Sequence, residues 1–98
     1  MVFRFEWDEE KNSTNIQKHG ISFDNAKMVF FDPKRIEVFD WRRSVTEERW
    51  KIIGISGFVP LIVSCTEKNN IIRIISARKA NKNEEREYFY GYNTDNSN

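Results

Sequence analysis

Three apolar runs lie almost end to end in the second half of the chain: RWKIIGIS (49–56), FVPLIVSCT (58–66) and IIRIISAR (71–78). Only Gly57 separates the first two, and EKNN (67–70) separates the second from the third. Gaps this short hold hairpin turns and leave no room for a crossover helix. With RIEVF (35–39) before them, these runs read as a β-meander. Pro60 cannot donate to a ladder, which argues for an edge position or a bulge in its strand. Residues 2–7, VFRFEW, alternate in strand fashion and predict one further strand.

Helices are expected on either side of the meander. Asp8 is a helix N-cap, with Glu10 and Lys11 in the first turn, and Gly20 after His19 is the left-handed stop. Ser22 offers a second N-cap for FDNAKMVFF, in which Phe23, Ala26, Val29 and Phe30 recur at helical spacing. Asp32-Pro33 ends that helix. DWRRSVTEE (40–48) is a polar connection with room for a short helical turn. NKNEEREYFY (81–90) predicts a final helix capped by Asn81 or Asn83. The order is strand, two helices, four strands, helix. That is an α+β fold with a mainly antiparallel sheet of four to five strands, two N-terminal helices and one C-terminal helix. Ninety-eight residues suit one core, closed by eight Phe, three Trp and three Tyr. A single domain over 1–92 is expected, followed by a frayed polar tail at 93–98.

The chemistry is bounded by what is scarce. Cys65 is the single cysteine, so no internal disulfide forms and a reducing cytoplasm is the expected location. No run approaches the roughly 20 apolar residues of a membrane span. The acidic start, MVFRFEWDEEK, is unlike a signal peptide. One Cys and one His do not make a zinc site of ordinary type, and no Gly-rich phosphate loop or nucleophile elbow is present. Metal-free acid–base chemistry without a cofactor, or binding alone, is left.

Charge is distributed unevenly. The net charge is +1, yet Lys68 to Arg86 holds six basic residues against Glu84 and Glu85. Such a stretch suits phosphates or an acidic protein partner. In a flat strand Arg73 and Arg78 fall on opposite faces; a twist or bulge near Ser76-Ala77 would bring both to one groove. Arginine forks bind phosphate bidentately, and they also make plain salt bridges with glutamates. His19 in KHG, at a helix end, is suited there as a cation and is also a candidate acid or base. In EERW, Trp50 reads as core and Glu48–Arg49 as a surface pair, unless Arg49 shares a groove with Arg78. Trp41 in DWRRS stacks on RNA bases, anchors a partner, or lids the core.

Three stretches, FEWDEEKNSTNIQKHGISFDNAKMVFFDP (5–33), DWRRSVTEERWKIIG (40–54) and RIISARKANKNEEREYF (73–89), together resemble the BrnT family, toxins of type II toxin–antitoxin pairs. The resemblance runs from about Phe5 to Tyr90. It implies a small RelE-like endoribonuclease that cuts RNA without a metal and inhibits translation. Its implied partner is a BrnA-type antitoxin with a ribbon-helix-helix part, two toxins around an antitoxin dimer, and the complex would repress its own operon. Carried over by position, Lys18, His19, Glu48, Arg49, Arg73 and Arg78 are the expected catalytic residues. Arg49 and Arg78 would hold the phosphate, and Lys18, His19 or Glu48 would transfer protons. Trp41, Arg42, Arg43, Trp50, Lys79 and Lys82 are the expected RNA contacts. Arg43, Val45 and Cys65 stand where relatives often carry a histidine, a tyrosine and an aromatic, which bears on activity more than on fold. A rival expectation is a non-catalytic module whose basic strand docks an antitoxin, with incidental RNA affinity.

Overall fold

The computed structural model describes residues 4–91; Val2, Phe3 and the expected tail at 93–98 lie outside them. Strand β1 (Arg4–Glu6) leads into α1 (Glu9–His19), and α2 (Phe23–Ala26) runs on into a 3-10 turn at Lys27–Phe31. Then come β2 (Ile36–Phe39), a 3-10 turn at Trp41–Arg43, β3 (Arg49–Ser56), β4 (Val59–Lys68), β5 (Ile71–Lys79) and α3 (Lys82–Tyr90). The expected α+β order stands. The sheet order is β1-β5-β4-β3-β2, with β1 parallel to β5 and every other pair antiparallel.

Local chemistry sets most boundaries. The Asp8 carboxylate accepts from the Glu10 and Lys11 N–H groups at 2.8 and 3.3 Å, and Gly20 ends α1 at φ 70°. Ser22 caps α2 through the Asn25 N–H at 3.1 Å. Asn81 caps α3 in a reciprocal box with Glu84, each side chain accepting from the other's N–H at 2.8 Å. Asn69 and Asn70, at φ 54° and 66°, close the β4–β5 hairpin between paired Lys68 and Ile71. Positive φ at both central residues is what a two-residue hairpin turn requires, and Asn tolerates it.

Two expectations change. Pro60 lies in the central strand β4, neither at a sheet edge nor at a bulge. It is tolerated because the β4–β5 ladder begins only at Leu61, so no ladder N–H is required one residue earlier. The FDNAKMVFF helix tightens to 3-10 winding at Lys27. There the turn buries Val29 and Phe30, next to the buried Ala26 that ends α2.

One sheet face carries the core. Ile52, Leu61, Val63, Cys65, Ile72, Ile74 and Ala77 meet Ile21, Phe23, Ala26, Val29 and Phe30 from the helical layer, with Phe5, Trp7 and Trp50 packed around them. The 3-10 turn comes close because β3 presents Gly54 beneath it: a Cβ there would stand 3.0 Å from Val29 Cβ. Cys65 belongs to this core; burial, helped by Glu67 and Glu37, pushes its thiol up to about 12. It is a packing residue, since only the thiolate is reactive.

Along β5 the register with β4 shifts once. Cys65 pairs with Ile74 and Ser64 with Ser76, so Ile75 is an extra, unpaired residue. This β-bulge reverses the alternation beyond it. Ile72, Ile74 and Ala77 all face the core, while Arg73, Ser76 and Arg78 all face the other way.

Candidate functional site

The bulge gathers charge onto the face that α1 and α2 leave open. Cross-strand neighbours point to the same side, so the pairing defines three rows. Arg49 and Arg73 flank Thr66, Lys51 and Ser76 flank Ser64, and Ile53 and Arg78 flank Ile62. The apolar end, with Ile53 and Ile62 buried, lies on the side where α3 packs on β3. The polar end remains open. A pocket of about 280 Å³ sits over it, lined by Asp40, Arg43, Arg49, Lys51, Ser64, Ile75, Ser76 and Arg78 among others.

Arg78 does not stand free in this pocket. Its Nη1 and Nη2 donate to the Glu84 carboxylate at 2.8 and 2.9 Å. This fork raises the pKa of the guanidinium and holds the Glu84 carboxyl below the usual carboxylate range. Arg49 is the reverse case. Its Nε is buried without a hydrogen-bond partner. A buried donor left unpaired is costly, and beside Lys51 and Arg78 it suits an anion. Arg43 reaches the same pocket but pairs with Asp40 at 3.5 Å.

A second hollow lies directly across the bulge. Lys11, Thr14, Asn15, Lys18 and His19 of α1 line it together with Ile75 and Ser76, which also wall the first. The end of α1 therefore stands beside the arginine pocket without entering it. At the far edge of the sheet, Glu6 of β1 accepts from Arg73 Nε at 2.9 Å, and both line a third hollow with Glu47, Thr66 and Lys68.

The structure thus lines one pocket with Arg43, Arg49 and Arg78, sets Lys18 and His19 across Ser76, and holds Arg73, in the same row as Arg49, in an exposed pair with Glu6 outside that pocket. Glu48 is exposed just before β3. Trp50 packs against the core and edge-on to Phe39, with ring centroids 5.1 Å apart. Trp41 is 71% exposed and carries the Arg42 guanidinium 5.4 Å from its ring centroid. Lys79 and Lys82 are exposed at the junction of β5 and α3.

Lys51, Ser64, Ser76 and Glu84 were not singled out from the sequence. Lys51 was within reach of pattern reading, since it follows Arg49 by two residues in a strand and must share its face. Ser64 and Ser76 depend on the cross-strand register, and Glu84 on how α3 docks. Among the described residues, no group of three or more His, Cys, Asp or Glu converges where a metal ion could be held. No helix in them is long and apolar enough to cross a membrane.

A helix-backed sheet whose open face gathers Arg43, Arg49, Lys51 and Arg78 around one pocket defines a small α+β domain with a cationic open face. The chain belongs to the BrnT family: the model of the ribonuclease toxin BrnT of type II toxin–antitoxin systems matches residues 7–84. Asn15, Lys18, His19, Arg49, Lys51, Arg78 and Glu84 all lie within the matched span. None of the curated proteins matches the chain. Family membership makes it a ribonuclease toxin with an antitoxin as its counterpart.

Proposed function

We propose that the open-face pocket is the RNA-cleaving site and that cleavage needs no metal. The orphaned Nε of Arg49, beside Lys51 and Arg78, is the observation that carries this reading. A phosphodiester seated there meets three cations, from the two strands that flank β4, and the hydroxyls of Ser64 and Ser76. Attack by the RNA 2′-oxygen forms a bond to the adjacent phosphorus and expels the 5′-oxygen of the next nucleotide. A base removes the 2′-hydroxyl proton, and an acid delivers one to the leaving oxygen. Negative charge grows on the non-bridging oxygens, and fixed cations aimed at growing charge act without reorganising.

Arg49 and Arg78 hold the phosphate in this mechanism, with Lys51 beside them. Lys18 and His19, across Ser76, are the proton-transfer groups; Glu48 and Arg73 stand further off and help position the strand. Trp41 with Arg42 offers a stacking surface for an unpaired base, and Arg43, Lys79 and Lys82 flank the RNA backbone. The cellular result is arrested translation in the cytoplasm. A BrnA-type antitoxin with a ribbon-helix-helix DNA-binding part neutralises the toxin, two toxins around an antitoxin dimer, and the complex represses its operon.

The test is cleavage of a defined RNA by purified protein in excess chelator, with and without antitoxin. Cutting should persist in chelator and stop with antitoxin. Arg49→Ala should lower the rate about 10²–10³-fold with the fold retained, the range for losing one fixed donor to a developing oxyanion. Loss of cutting in chelator would remove metal independence. A folded Arg49→Ala protein that cuts at the wild-type rate would remove the pocket assignment, and absence of cutting at any concentration would favour an antitoxin-docking module.

A further inference from the structure

Strand β5 loses its outer neighbour halfway along. β1 pairs only with Ile71–Arg73, so among the described residues the stretch beyond the bulge has no strand on that side. At Ala77 a side chain takes the strand's place. Asn15 Oδ1 accepts from the Ala77 N–H at 3.0 Å, and Asn15 Nδ2 donates to the Ala77 carbonyl at 2.8 Å. Nδ2 also donates to the Ile21 carbonyl at 2.9 Å. Asn15 is 5% exposed, so these three bonds occur away from water, where each unpaired group would be costly.

Two segments are tied by this one amide. The first is the end of α1, Lys18-His19-Gly20-Ile21; the second is Ser76-Ala77-Arg78. A bulge leaves a strand with a one-residue choice of register, and a slip of one residue turns every following side chain to the opposite face. By gripping both peptide groups of Ala77, Asn15 specifies that Ala77 faces α1 through its backbone, and that Ser76 and Arg78 point onto the open face. An amide alone supplies an adjacent donor and acceptor. A carboxylate in its place would confront the carbonyls of Ile21 and Ala77, and a hydroxyl would reach fewer partners.

We propose that Asn15 is a positioning residue for RNA cleavage, acting through Arg78 by locking β5 just beyond the bulge. The proposal rests on the reading of the open-face pocket as the cleavage site. The experiment compares Asn15→Asp and Asn15→Ser, each alone and combined with Arg78→Lys, by kcat and KM on a defined RNA under conditions where circular dichroism shows the fold intact. In the otherwise wild-type chain kcat should fall about 100-fold, the scale of a misplaced catalytic group, while KM stays within about threefold. In the Arg78→Lys background the same substitutions should lower kcat less than about threefold, because residues acting as one unit are not additive. A wild-type kcat in a folded Asn15 variant overturns the proposal, as does an equal loss in both backgrounds, which would mark a structural residue unconnected to Arg78.

Failure of the underlying site reading looks different: Arg78→Lys would then cut at the wild-type rate, removing the group through which Asn15 is held to act. If neither Asn15 variant folds, the wild-type chain decides. On adding an uncleavable RNA with a 2′-deoxy scissile position, the NMR signals of the Asn15 side-chain amide and Ala77 N–H should move together with Arg78 Nε–H. Movement of Arg78 alone overturns the coupling.

Discussion

Glu84→Gln separates the anchoring of α3 by Arg78 from the RNA contact proposed for the same side chain. In the free protein the Arg78 fork is closed by the Glu84 carboxylate at 2.8 and 2.9 Å, so a phosphate must compete with an internal anion. Glutamine keeps the size of the side chain and its capping bond from the Asn81 N–H, now 2.8 Å, since Glu and Gln serve equally in a capping box. It removes the charge. The Arg78 and Glu84 side chains are 42% and 17% exposed, so the pair is screened on one side and the stability loss is discounted to about 1 kcal/mol. A domain of this size should then melt about 4–8 °C lower. RNA binding should change the other way. With one more uncompensated cation at the phosphate, the slope of log affinity against log salt should steepen by about 0.7, the single-strand increment per phosphate contact. Fluorescence anisotropy with uncleavable RNA at several salt concentrations reads this slope. Glu85→Gln is the control, equal in charge and adjacent on α3 but no partner of Arg78. Equal affinities and slopes for the two variants, with only Glu84→Gln melting lower, would show that Arg78 serves the fold and never reaches RNA.

Two further outcomes follow from the packing. Tyr88 donates to Asp32, which also accepts from the Lys34 and Ile55 N–H groups at 2.9 Å each; burial and this bond push the phenol up from 10.0 to about 12. A phenol raised in the folded state contributes stability in full below pH 10, lost as pH climbs through about 12. Asp32, although its partial burial works the other way, is held below 3.8 by Tyr88, the two N–H groups and Arg35. Its contribution therefore disappears as pH falls through that lowered value. Absorbance titration should show a late tyrosine step that Tyr88→Phe abolishes, and urea midpoints of the wild type should fall between pH 10 and 12 more than those of Tyr88→Phe; a titration with no late step would refute this. Gly54→Ala would place its methyl 3.0 Å from Val29 Cβ and 3.1 Å from the Val29 carbonyl oxygen. Forcing the 3-10 turn off the sheet should cost about 1–3 kcal/mol, seen as a lower melting temperature, and an unchanged melt would refute the close approach.

Much of the fold was legible because the signals are local. Asp8, Ser22 and Asn81 cap helices through N–H groups two or three residues away. Gly20 and the Asn69-Asn70 pair supply backbone angles that their own chemistry favours. The short gaps of the meander made its pairing order plain. Pro60 and the second helix read less well, because a ladder's starting point and the tightening of a helix onto Gly54 belong to partners distant in the chain.

The candidate site divides along the same line. Sequence alone determined that Arg49, Arg73 and Arg78 sit in strands, that Lys18 and His19 end a helix, and which residues share the BrnT pattern. Alternation in an unbroken strand would have put Arg73 and Arg78 on opposite faces. The tertiary structure decided otherwise, through one unpaired residue, Ile75, and a buried amide from α1 that grips Ala77. Facing is a property of register, and register is set jointly by β4 and by Asn15, sixty-two positions from its partner. No window of sequence around Arg78 contains that information.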